Sequence, residues 1–141
     1  MKEVNDMDNK LKILTCEVGK IARVDWVENK LEKLQEKVKG CIEFFDLDNE
    51  TTIICNDEGK INGMGLNRSI RDNDNKILEI IGGDFIIVGM KNNGDLKNLD
   101  EKQIEKLINK YKFLEQFFMD NGEIFSTTYE PKVNEKSTIE R

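Results

Sequence analysis

The stretch Gly82-Gly83-Asp84-Phe85-Ile86-Ile87-Val88-Gly89 constrains this chain more than any other. Four consecutive apolar residues bounded by glycines predict a fully buried strand, with the rest of the fold built around it. The other apolar residues also fall in short runs, none near the ~20 needed to cross a bilayer. Hydrophobic residues are 38% of the chain and charged residues 35%, so the core must be assembled from these runs. A length of 141 residues suits one domain with short tails.

Residues 11–16 alternate and read as a strand, Val18-Gly19-Lys20 as a turn, and Ile21 to Trp26 as the return strand of a hairpin. A helix follows, with Asn29 as its cap, Glu32 in the capping-box position, the stripe Leu31, Leu34, Val38, and Gly40 as a left-handed stop. Cys41 to Leu47 and Thr51 to Cys55 form a second hairpin around Asp48-Asn49-Glu50. Leu66 to Asp72 is expected to be a short helix. Ile77 to Ile81 leads into Gly82-Gly83 and the buried run, and Asn92-Asn93-Gly94-Asp95 is a loop. Asp100, with Gln103 three residues on, caps the longest helix, whose apolar face runs Ile104, Leu107, Ile108, Tyr111, Leu114, Phe118. Glu123 to Tyr129 is a last strand before Pro131.

The order β-β-α-β-β-(short α)-β-α-β predicts an α+β fold: a small single domain, mainly antiparallel sheet, with two principal helices packed on one face. Residues 1–10 read as a disordered lead-in, 11–130 as the domain and 131–141 as a flexible tail.

Composition narrows the chemistry. The chain has no histidine, which excludes a Ser-His-Asp triad, a Cys-His pair and any His-ligated metal. Cys16, Cys41 and Cys55 form no CxxC pair and are read as core residues. Three unpaired cysteines and a polar N-terminus point to a reducing cytoplasm, that of a bacterial host once the resemblance below is considered. The pairs Asp46/Asp48 and Asp72/Asp74 do not continue into a calcium loop, and no cofactor or catalytic group is expected. With a net charge of -6 and no basic patch, direct DNA binding is not expected, and neither is a membrane.

The unusual polar cluster is central: Asn56, Lys60, Asn67, Arg68 and Arg71, with glycines at 59, 63 and 65. The chain has only four arginines, and two of them stand here three apart, a spacing that on a helical turn puts both guanidinium groups on one side. Such forks suit a phosphate or carboxylate, with backbone amides near Gly59 and Gly83 to orient it. The alternative is that Arg68 and Arg71 pair with Asp72, Asp74 or Glu79 at the surface. Phe85 or an aromatic of the last helix would stack on a base, and Asn92 and Asn93 are candidates for the same region. Phe113 and Phe117 extend the core or form a self-association surface.

These motifs resemble a known family. Val38-Lys39-Gly40-Cys41-Ile42-Glu43 is similar to its "VGGxIE" segment and Cys55-Asn56-Asp57-Glu58-Gly59-Lys60 to its "NEEGK" segment. Gly65-Leu66-Asn67-Arg68 with Arg71-Asp72 resembles "LPLNRxLRD", and Ile80 to Gly89 resembles "IIxGxxxIVG". Together they resemble the domain of unknown function 3846 over roughly residues 11 to 127, with Gly65 in place of a proline and Lys39 in place of a glycine. The resemblance implies a phage or mobile-element context, in which small acidic proteins often counter host defence, and it implies no activity.

The expectation is therefore a non-enzymatic binding protein that sequesters a small phosphate-bearing nucleotide signal through Asn56, Lys60, Asn67, Arg68, Arg71, Gly83 and Phe85, as a homodimer or higher homo-oligomer. The alternatives are an acidic inhibitor of a host defence nuclease, of anti-CRISPR or antirestriction type, or a regulatory protein without a small ligand.

Overall fold

The computed structural model describes residues 9–60 and 62–130. The tail expected at residues 131–141, and all but the last two residues of the lead-in, lie outside them. The elements run β1 (Lys10–Cys16), β2 (Arg23–Glu28), α1 (Leu31–Val38), β3 (Ile42–Asp46), β4 (Thr51–Asn56), β5 (Leu66–Arg71), β6 (Ile77–Gly82), β7 (Phe85–Met90), β8 (Leu96–Lys97), α2 (Glu101–Tyr111), β9 (Leu114–Asp120) and β10 (Glu123–Tyr129). The fold is α+β, with its main sheet ordered β2-β1-β7-β4-β3 and every pairing antiparallel.

The apolar run of β7 occupies the centre of that sheet, between β1 and β4. Ile87 lies level with Leu14 on one side and Ile53 on the other. The two-residue period of a strand sends Leu14, Cys16, Ile53, Cys55, Phe85 and Ile87 to one face and Ile13, Ile54, Ile86 and Val88 to the other. Each face has its own helix: Leu34 and Val38 of α1 close the second, Leu107 and Tyr111 of α2 the first. The helices thus take opposite faces, whereas the chain order predicts both on one. Strands apolar on both sides leave no face that water can cover.

Two expected helical stretches are strands. Leu66 to Arg71 pairs with β6 and buries Ile70 against Ile81 on the α2 side of the sheet. Its register shifts between Leu66 and Ser69 and again between Ile70 and Arg71, which bends the strand. Leu114 to Asp120 does not continue α2; it forms a hairpin with β10. The turn is Asn121-Gly122, with φ of 54° and 82°, the pair of positive angles that a two-residue hairpin turn demands.

The helix ends follow mixed rules. At α2, Asp100 accepts from the Gln103 amide while the Gln103 side chain accepts from the Asp100 amide, the expected capping box. At α1, the cap is Lys30, not Asn29, and no side chain serves it; the Asn29 amide donates instead to the Asn9 carbonyl. Lys39, not Gly40, takes the left-handed stop at φ 63°, and the Gly40 amide donates to the Gln35 carbonyl at 3.1 Å. Lys39 thus fills, at some strain, the position where the resembled pattern has glycine. Cys16 and Cys55 are buried as expected, whereas Cys41, one residue ahead of the edge strand β3, is exposed.

Gly59 and Gly82 meet backbone to backbone. A Cβ on Gly59 would overlap the Gly82 carbonyl, and one on Gly82 would press on the Lys60 amide. Gly59→Ala is expected to lower stability by about 1–3 kcal/mol in urea unfolding, the cost of forcing packed backbones apart. An unchanged midpoint would show that the two segments separate freely.

Candidate functional site

The site grows out of β5. Asn67 and Arg68 are both buried, at 2% and 1% exposure, although they are polar. The Asn67 Nδ2 donates to the carbonyls of Cys16 (3.0 Å) and Gly83 (2.9 Å), and its Oδ1 accepts from Arg68 Nη1 at 2.7 Å. Arg68 Nε and Nη2 donate to the Tyr111 carbonyl at 3.2 and 2.8 Å, and Nη2 also reaches the Lys20 carbonyl at 3.1 Å. The Tyr111 carbonyl closes α2, where the helix dipole is negative and its last carbonyls lack partners. A buried guanidinium there satisfies both demands. Burial pulls the Arg68 pKa below its ordinary value, yet a guanidinium keeps its charge in proteins. Asn67 and Arg68 therefore form a node that ties the β1–β2 turn, the β6–β7 corner and the end of α2 together.

Ser69, also buried, and the half-buried Arg71 carry the network on to β9 and β10. The Ser69 amide and hydroxyl donate to the two carboxylate oxygens of Glu115 on β9, both at 2.7 Å, and the Ser126 hydroxyl of β10 donates to Oε2 at 2.9 Å. Arg71, half-buried, donates from Nε to Ser69 Oγ (3.0 Å), from Nη1 to the Asn75 carbonyl (2.9 Å) and from Nη2 to Ser126 Oγ (2.8 Å). All three partners are neutral. Among the described residues no carboxylate forms an ion pair with Arg71. Among the described residues, each terminal nitrogen keeps one N–H to spare.

Above Arg71 opens a cleft of about 820 Å³ between the β5–β6 hairpin, the end of α2 and the β9–β10 hairpin. Asp72, Asn73, Lys110, Phe113, Thr127 and Thr128 complete its lining. Such a volume suits a small organic ligand. The arrangement offers a planar cation with free donors, hydroxyls around it and a half-buried aromatic ring alongside.

The sequence-derived candidates separate in space. Arg68 and Arg71 both line this cleft, but Arg68 is 1% exposed whereas Arg71 is half-buried, with one spare N–H on each terminal nitrogen among the described residues. They sit on a strand, not on one side of a helical turn. Asn56 is buried; its Nδ2 donates to the carbonyls of Val38 (3.0 Å) and Lys39 (3.2 Å), and its Oδ1 accepts from the Glu58 amide. Lys60 pairs with Glu79 at 2.8 Å beside a separate cavity of about 150 Å³. Gly83 is buried at φ 88°, its amide donating to the Gly65 carbonyl. Phe85 is 0% exposed, its ring edge-on to Tyr111 at 6.3 Å, so it has no face for a base. The Asn93 side chain closes its own turn with Asp95, away from the cleft.

One aspartate of each pair forms a turn. Asp48 Oδ1 accepts from the Glu50 and Thr51 amides, and Asp72 Oδ1 from those of Asp74 and Lys76. The buried thiols are held protonated. Burial pushes Cys16 up to about 12, against the pull of nearby Arg68, and Cys55 up to about 11, where burial is joined by Glu43. Sequence reasoning missed Ser69, Lys110, Glu115 and Ser126. The Asn-Gly pair at 121–122 was the available signal, since reading it as a hairpin turn sets Glu115 opposite Thr128 and brings β10 to the site.

Comparison with known proteins places one family model, described as a domain of unknown function (DUF3846), on residues 11–112. No curated protein and no solved structure gives a match. The matched segment carries Asn67, Arg68 and Arg71, whereas the β9–β10 wall of the cleft lies beyond it.

Proposed function

The chain belongs to the DUF3846 family, and from that premise we propose that it is a binding protein which retains a small phosphate-bearing ligand in the cleft above Arg71. The observation that carries this reading is the guanidinium of Arg71, half-buried, held in place by three neutral acceptors and without an ion-pair partner among the described residues. An anion arriving there gains charge-assisted hydrogen bonds from an already oriented fork. The role is retention without chemistry: both nearby serine hydroxyls donate to Glu115 and accept from Arg71, so their hydrogen-bonding is spent on holding the fork.

In a phage or mobile-element setting, retention of a nucleotide signal would act as anti-defence. That setting comes from the family resemblance, and the ligand class comes from the cleft. No helix among the described residues is long and apolar enough to cross a membrane. Self-association is part of the proposal, supported by exposed Phe118, Met119, Ile124 and Phe125 on β9–β10, with the two phenylalanine rings stacked at 5.8 Å.

Calorimetric titration with adenosine 5′-monophosphate and with inorganic phosphate tests the site. Arg71→Ala is expected to weaken binding about 10- to 100-fold, the worth of hydrogen bonds to a charged group, with the circular dichroism spectrum unchanged. Arg71→Lys should recover little, because an ammonium has no fork. Equal affinity in Arg71→Ala would remove the cleft from consideration. Steeply salt-dependent binding to a nuclease that Arg71→Ala leaves intact would favour the acidic-inhibitor reading instead.

A further inference from the structure

We propose that the ligand is a phosphodiester-linked dinucleotide, its single phosphate on Arg71 and one nucleoside in each of two adjoining clefts; this rests on the anion-binding reading above. A second cleft, of about 510 Å³, adjoins the first and shares with it Arg71, Asp72, Asn73 and Lys110. The guanidinium thus stands at a junction and not at the bottom of a dead end. A ligand using both concavities carries its anion in its middle, which a phosphodiester does and a terminal phosphate or carboxylate does not.

The charges agree. At the junction Arg71 and Lys110 outweigh Asp72 by one positive charge. That balances a phosphodiester, whereas a phosphate monoester brings about 1.5 to 2 negative charges at neutral pH. Beyond the junction neither arm holds surplus positive charge. In the first, Arg68 and Glu115 cancel. In the second, Lys106 faces Asp48 and Glu50. Both arms therefore favour uncharged bodies that carry hydroxyl donors, such as nucleosides. The first offers the ring of Phe113 for stacking, and the second offers Leu78, 56% exposed, with the Gln103 amide nearby. A net charge of -6 over the whole chain opposes a longer strand.

The test titrates the full chain with three probes: adenylyl-(3′→5′)-adenosine, adenosine 5′-monophosphate and a five-residue oligoadenylate. The dinucleotide is expected to bind at least ten-fold more tightly than the mononucleotide and no more weakly than the oligonucleotide. Leu78→Glu, a change at an exposed position, should bring the dinucleotide down to the mononucleotide's affinity and leave the mononucleotide unaffected. Equal affinity of the two small probes in the wild type, with both lost in Arg71→Ala, overturns the two-armed ligand and keeps the anion site. Tighter binding of the oligonucleotide overturns it in favour of a single strand. Indifference of every probe to Arg71→Ala sinks the anion site as well.

Discussion

Arg68→Ala is expected to cost the fold about 3–5 kcal/mol, the combined effect of stranded buried acceptors and a cavity. The guanidinium is 1% exposed and bonded to Tyr111, Lys20 and Asn67. Deleting it strands the last carbonyl of α2 in the interior, together with the Asn67 Oδ1, at about 1–3 kcal/mol for each unpaired group. It also leaves a void the size of an arginine, which nearby strands cannot fill without giving up their pairing. The loss is a large share of the 5–15 kcal/mol that a domain of this size normally has. Urea unfolding followed by circular dichroism is the measurement, with the midpoint falling at unchanged slope. Arg68→Lys should recover only part, since one ammonium cannot serve Tyr111, Lys20 and Asn67 together. Arg71→Ala should stay within about 1 kcal/mol, as for a partly exposed polar side chain. A loss below about 1 kcal/mol in Arg68→Ala would mean that water enters and replaces the node.

Phe85→Ala is expected to destabilise by a similar amount, about 3–5 kcal/mol. Phe85 opens the central strand, is wholly buried, and meets the ring of Tyr111 edge-on. Its removal empties the middle of the α2-side core, where Leu14, Ile53 and Ile87 hang from strands fixed by their ladders and cannot collapse inward. Phe85→Leu should cost markedly less, because most of the volume is kept. The same unfolding series reads both variants. If Phe85→Ala lowered ligand affinity at full stability, the ring would belong to the site and not to the core.

Features encoded locally were legible in the sequence. The central strand, the hairpin of β3 and β4, and the Asp100–Gln103 box each rest on a few neighbouring residues, and each was found at its place. The placement of the two helices was misread, because chain order alone suggests a shared face; the signal against it is that Ile53-Ile54 and Ile86-Ile87-Val88 lack polar alternation, which requires cover on both sides. The end of α2 was ambiguous because Leu114 and Phe118 fit the periods of both a helix and a strand. Asn121-Gly122 was the deciding feature.

The polar segment of β5 was not legible, for a different reason. Arg68 is buried because carbonyls 43 and 48 residues away converge on it. Nothing local distinguishes it from Arg71, which lies three positions on and faces the cleft. The spacing of the two suggested a shared side. Only the tertiary fold buries the one beneath the sheet elements and leaves the other half-buried at the cleft.

The acceptors of the Asn67–Arg68 node are main-chain oxygens of Cys16, Lys20, Gly83 and Tyr111, apart from the bond inside the pair. Every amino acid brings such an oxygen. Replacing the residue that supplies one, provided the chain path holds, leaves the tether in place. The sequence cost of joining three distant segments thus falls on two adjacent codons, and the periphery can drift while the geometry beneath the cleft persists.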